Sequence, residues 1–176
     1  AAVLRVASAG LAGEAGMGYP GADEPVISVA ASGWVGEWTA GSWWRTVDVA
    51  DPININDFYI ADFSSREKAG QDLDVAAPGS WILGPYQVNS GQTSYYYLGG
   101  TSMASPHVAG IVALMAQKYP ALTAAQAEDI LELSAIPLPA GSRSITDPSG
   151  PITVSWGDDA SGSGLITADA ALSNTP

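Results

Sequence analysis

Short apolar runs bounded by turn residues set the rhythm of the chain. Residues 3–8 and 26–31 are apolar almost throughout, the pattern of strands buried on both faces of a parallel sheet. A further strand is expected at Leu73–Ala76 and a short one at Ile152–Trp156. From Ala104 the run ASPHVAGIVALMAQKYP is small and apolar, which predicts a buried helix over about 103–118, stopped before Pro120. Two more helices are predicted over 123–134 and 167–173, the first with Thr123 as its N-cap and with Glu128 and Asp129 near enough to its start to favour it. Strands alternating with helices argue an α/β fold in which helices cover a sheet.

The first helix opens with GGTSMASPHVAG, Gly99 to Gly110, which holds a serine and the only histidine of the chain. Each helical residue turns by roughly 100°, so a side chain five positions on points about 140° away. Ser102 and His107 are therefore not a catalytic pair, and His107 is expected to be a packed, hydrogen-bonded helix residue. Ser102 has two readings. It is an ordinary helix cap, or it is a nucleophile at a helix start, where free N–H groups and the positive end of the dipole face a developing oxyanion.

The string Gly100, Thr101, Ser102, Met103, Ala104, Pro106, His107, Val108, Ala109, Gly110 resembles the serine motif of the subtilisin-like serine proteases. Further stretches resemble the same family in its order: VLRVASAG (Val3 to Gly10), Gly18 to Gly21 followed by VISVAAS, Phe63 to Arg66, LDVAAPG (Leu73 to Gly79), YPALTAAQAEDILELSA, and GSGLITADAAL (Gly162 to Leu172). The resemblance implies a three-layer α/β fold with a mainly parallel sheet between helices. It implies Ser102 as the nucleophile, with Ser8, Ala9, Gly10, Leu11 and Thr101 as oxyanion and substrate-binding residues, and a protein or peptide substrate. The chemistry needs no cofactor. It further implies a secreted protein.

Two departures from the family pattern stand out. The family's aspartate and histidine motifs precede the strand at residues 3–8, and nothing in these residues resembles them, so residues 1–176 are expected to be the C-terminal part of one peptidase domain. The nucleophile's base and its orienting aspartate are then expected from a missing N-terminal part, and the chain alone is expected to be inactive. Secondly, the family turn Ala-Gly-Asn, whose asparagine donates to the oxyanion, here ends in Leu11, which has no donor. The alternative reading is a pseudo-protease or binding protein that keeps the fold.

Composition narrows the partners. A net charge of −12 with six basic residues argues against nucleic acid or an anionic membrane surface as partners. No apolar run reaches the roughly 18 residues that a membrane span needs. With no cysteine there is neither a disulfide nor thiol chemistry, and no zinc-type cluster is present. Asp23 and Asp74 lie in two loops that in the family approach each other and can hold calcium or a monovalent cation, partly through backbone carbonyls such as those of Gly21 and Asp72.

Two segments lie outside the family pattern. Gly33 to Ile60, with Trp34, Trp38, Trp43 and Trp44, reads as a β-hairpin insertion whose aromatics pack on the parent domain, or else as an exposed aromatic binding platform. Pro137 to Ser161 reads as a surface excursion of turns around one short strand, without chemistry. Tyr95, Tyr96 and Tyr97 read as strand packing.

Overall fold

The computed structural model of the chain describes residues 3–38 and 49–176; Trp43 and Trp44 lie outside the described residues. Its centre is β2 (Ile27–Trp34), seven of whose eight residues are buried, as the unbroken apolar run requires. Parallel partners flank it. On one side lies β1 (Val6–Ser8), with Val6 opposite Ile27, and on the other β4 (Val75–Pro78), with Val29 opposite Val75. The far end of β2 pairs antiparallel with β3 (Phe58–Ile60), so residues 33–60 begin and end as two paired strands. Among the described residues β1 pairs with β2 alone and is half-buried.

β5 (Ile82–Asn89) and β6 (Gln92–Leu98) form an antiparallel hairpin that delivers the chain to α1 (Thr101–Lys118). α1 packs on β1, β2 and β4 through Thr101, Ala104, Val108, Val112 and Met115, one face at helical spacing. α2 (Ala124–Ser134) and α3 (Ala168–Asn174) pack on each other, and α3 packs on α1. Lys118 Nζ donates to the carbonyls of Leu172 and Thr175 at 2.8 and 2.6 Å, satisfying the C-terminal end of α3.

Thr123 caps α2 as its sequence position predicts. Its Oγ1 accepts from Gln126 N at 3.2 Å and Gln126 Oε1 accepts from Thr123 N at 3.0 Å, a reciprocal capping box. Glu128 and Asp129 fall beyond the first turn of that helix, and so give its dipole little.

The structure corrects two expectations. His107 is exposed rather than packed, because α1 buries only the face that meets the sheet; its Nδ1 lies 2.8 Å from the Met103 carbonyl one turn back. Residues 137–161 are more than a surface excursion. They hold a second hairpin, β7 (Gly141–Asp147) and β8 (Gly150–Trp156), closed by Asp147 Oδ1, which accepts from Ser149 N and Gly150 N at 2.7 and 3.0 Å. Its inner face buries Ile145, Val154 and Trp156 in the core, packed on β3, while the Trp156 indole N–H donates to Pro139 O at 3.0 Å. Trp38 packs inward too, with its ring 5.2 Å from that of Trp81 and 5.4 Å from that of Tyr97.

Candidate active site

Ser102 is the second residue of α1 and is exposed, whereas Thr101 beside it is fully buried. The difference fixes the helix start in space. Thr101 Oγ1 accepts from Gly10 N at 3.1 Å and donates to Gly10 O at 3.2 Å, clamping the end of β1 to the first turn of α1. Gly10 adopts φ +115°, and a Cβ there would stand 2.8 Å from Ser65 Oγ, so the turn requires glycine. Gly79 and Gly100 approach equally closely: Gly100 N donates to Gly79 O at 2.7 Å, and a Cβ on Gly79 would stand 2.9 Å from Gly100 O. The glycine before Ser102 is thus held by the loop that follows β4.

Residues 61–66 brace the same turn from behind. Ser65 N donates to Gly10 O at 3.0 Å and Ser65 Oγ accepts from Ala12 N at 3.0 Å. The Arg66 guanidinium, almost fully buried, donates to the carbonyls of Ala61 and Ser64 at 3.3 and 3.1 Å. The bracing role of Ser65 depends on a contact 53 residues away, which its motif alone does not announce.

Around Ser102 the expected residues converge in part. Ala9 is buried, donating from its N–H to Val29 O and accepting at its carbonyl from Gly18 N. Ser8, Ala9, Gly10 and Thr101 therefore form one rigid unit against the helix start. Leu11 is mostly exposed at 59%, and one of its methyl carbons lies 3.7 Å from where a Gly100 Cβ would be. It presents hydrocarbon beside the helix N-terminus, where the Ser102 N–H faces outward without an intrahelical acceptor. Ser102 Oγ makes no hydrogen bond among the described residues, and His107 is occupied with its own helix. Tyr95 is exposed in β6, and Tyr96 packs edge-on to Tyr86 with ring centroids 6.1 Å apart.

A second group of side chains lies at the start of β2, where Asp74 meets Ser28. Asp72, Asp74 and Glu128 bring one carboxylate oxygen each within 4.8 Å of one another. Asp74 is fully buried: its Oδ2 accepts from Ser28 N at 2.6 Å and Ser28 Oγ at 2.9 Å, while its Oδ1 has no hydrogen-bond partner. Burial pushes the Asp74 carboxyl up to about 7 against the pull of the Ser28 bonds, and the charges of Asp72 and Glu128 push the same way. An orphaned buried oxygen among repelling carboxylates suits a hard cation. Asp23 does not belong to this group; it is exposed in its own turn, its N–H donating to Pro20 O. Glu128, from α2, supplies the third carboxylate of the group.

Comparison with known proteins agrees with the geometry. The model of the Subtilase family matches residues 1–168. Subtilisin DY of Bacillus licheniformis is 38% identical over 137 residues, 76% of this chain and 39% of that protein. An extracellular protease of Xanthomonas campestris pv. campestris is 41% identical over 115 residues, 62% of this chain and 17% of that one. The structure of fervidolysin from Fervidobacterium pennivorans, a keratinolytic enzyme related to subtilisin, superposes with a TM-score of 0.62 at 30% identity, covering 99% of this chain and 23% of that one. In each case the chain spans well under half of its relative's length. With the serine motif at the start of α1, the glycine turn clamped to it and the family model matched across nearly the whole length, this chain belongs to the subtilase family.

Proposed function

We propose that the protein of which these residues form part is a secreted serine endopeptidase, with Ser102 as its nucleophile. The observation that carries this reading is the clamp between Thr101 and Gly10, which holds an exposed serine at a helix N-terminus beside a rigid glycine turn. In the reaction Ser102 Oγ attacks the scissile carbonyl while a base takes its proton. The C–N bond then breaks as that proton passes to the leaving amine, and water releases the acyl group. The Ser102 N–H and the α1 dipole stabilise the oxyanion, without the side-chain donor that position 11 would otherwise supply.

On this reading the base and its orienting carboxylate come from another part of the domain and the 176 residues alone are inactive; it is supported by the one histidine, which projects from α1 and bonds to Met103. Leu11 favours a second reading, a binding protein that keeps the fold. A fluorophosphonate probe separates them. Labelling of the full-length protein, abolished by Ser102→Ala and absent from the 176-residue chain, supports the peptidase; a full-length protein that does not label refutes it. We also propose that Asp72, Asp74 and Glu128 hold a calcium or monovalent ion in a structural role, remote from the chemistry.

A further inference from the structure

A cavity of about 270 Å³ lies against the serine loop, and neither Ser102 nor the glycine turn clamped to it lines the cavity. Its lining includes Gly99, three residues before Ser102, and it runs back between β3 and the β7–β8 hairpin. Phe63, Trp81, Ile145, Ile152 and Val154 make the walls apolar. Among the described residues Asp62 and Asp147 are the only charged ones lining it, and both are acidic. Each carboxylate commits one oxygen to the backbone, Asp62 Oδ1 to Phe63 N at 2.8 Å and Asp147 Oδ1 to its own turn. The second oxygen of each has no hydrogen bond among the described residues. Tyr59 and Ser80 at the back are held in place, since both hydroxyls donate to Glu37 Oε2 at 2.9 Å.

Walls of hydrocarbon beneath two free acceptors match one kind of side chain: a long aliphatic stem ending in a cation. The position decides which part of a substrate brings it. In the peptidase reading the acyl portion lies along Ser8 to Gly10; none of those residues lines the cavity, which meets the serine loop at Gly99 instead. We propose that this cavity is the binding site for a lysine or arginine side chain of the substrate on the leaving-group side of the scissile bond, with Asp147 and Asp62 as its specificity-determining residues. The inference rests on the peptidase reading. The hairpin at residues 141–156 thereby becomes part of substrate recognition.

The test uses the full-length protein and internally quenched peptides, identical on the acyl side and carrying Arg, Lys, Ala, Phe or Glu at the first two leaving-group positions. A peptide ester with a methanol leaving group serves as control, because it cannot enter the cavity. The expected result is kcat/KM for Arg or Lys higher than for Ala by about tenfold or more, the size that a charge-assisted hydrogen bond gives, and a ratio that collapses toward one in Asp147→Asn. Because the preference is a ratio within each variant, changes in overall activity cancel. Ester turnover with no basic preference, or with a Phe preference that Asp147→Asn leaves intact, overturns the inference while the peptidase reading stands. Absence of ester turnover overturns the peptidase reading. The cavity is then tested by methyl NMR of Ile145, Ile152 and Val154 with N-acetyl-arginine amide: saturable shifts lost in Asp147→Asn support a cation site, and no shift overturns it.

Discussion

Glu37 is the half-buried group whose replacement reports most directly on the structure. Its Oε1 accepts from Trp34 N at 2.8 Å and its Oε2 from the hydroxyls of Tyr59 and Ser80, each at 2.9 Å. These bonds favour the charged form, but burial outweighs them and pushes the carboxyl up to about 7. Between the unfolded value of 4.5 and about 7 the folded chain therefore holds a proton that the unfolded chain has released. Stability falls as pH rises through that window, and the loss is complete above it. Converted at 1.36 kcal/mol per unit, Glu37 removes about 3 kcal/mol between pH 4.5 and 7. Glu37→Gln cannot ionise, keeps the acceptor for Trp34 and offers an N–H₂ group to the two hydroxyl oxygens. The assay is urea unfolding of both proteins at half-unit steps from pH 4.5 to 8, with the slope checked for constancy. The variant's advantage should grow by about 3 kcal/mol across the series. Asp74 titrates in the same direction but is present in both proteins, so the difference isolates Glu37. Parallel stability curves would refute the argument that burial dominates this site.

Other substitutions probe the serine site and the acidic group. Thr101→Val leaves Gly10 N without its acceptor in the clamp, and should cost about 1–3 kcal/mol in denaturant unfolding; a loss below about 0.5 kcal/mol would show that the clamp bears no weight. In the full-length protein Leu11→Asn should raise kcat by about two orders of magnitude, since one oxyanion donor is worth roughly 2.7–4 kcal/mol, and an unchanged kcat would mean that another group already donates. Calcium at a hundredfold excess over its Kd should stabilise the chain by about 2.7 kcal/mol, read as a rise in Tm that Asp74→Asn abolishes; equal Tm values with and without calcium count against the ion. Thr123→Ala removes the capping box and should cost about 1 kcal/mol without changing any activity.

Where the sequence spoke plainly, the information was local. The run that became β2, the helix from Thr101 and the Thr123 cap each follow from residues within a turn or two of one another. What stayed hidden depends on chain segments that meet only after folding. Ser65 reaches back 53 residues to Ala12, Ser80 reaches Glu37 across 43, and Glu128 reaches Asp72 from another element. Asp23 and Asp74 were paired on the approach of two loops, yet α2 supplies the third carboxylate and Asp23 stays outside. His107 shows a related limit: a mostly apolar helix reads as buried all round, whereas α1 has the sheet on one side only. In residues 137–161 the turn signals were clear, but the alternation in β7 is carried by Ser142, Ser144 and Ile145 and is too weak to announce the partner of β8.

The clamp on the serine also sets a clock. Gly10 and Thr101 are 91 residues apart, and the loop between β1 and the nucleophile gains its two braces only when residues 65 and 101 have been synthesised and docked. Contacts so distant along the chain form late, because loop closure must precede any reward from them. At the synthesis rate of roughly 5–20 residues per second, several seconds separate the emergence of the turn from that of its latch. Thr101 emerges together with Ser102, so the turn after β1 waits unlatched until the serine itself is made, and the two become ordered in the same event.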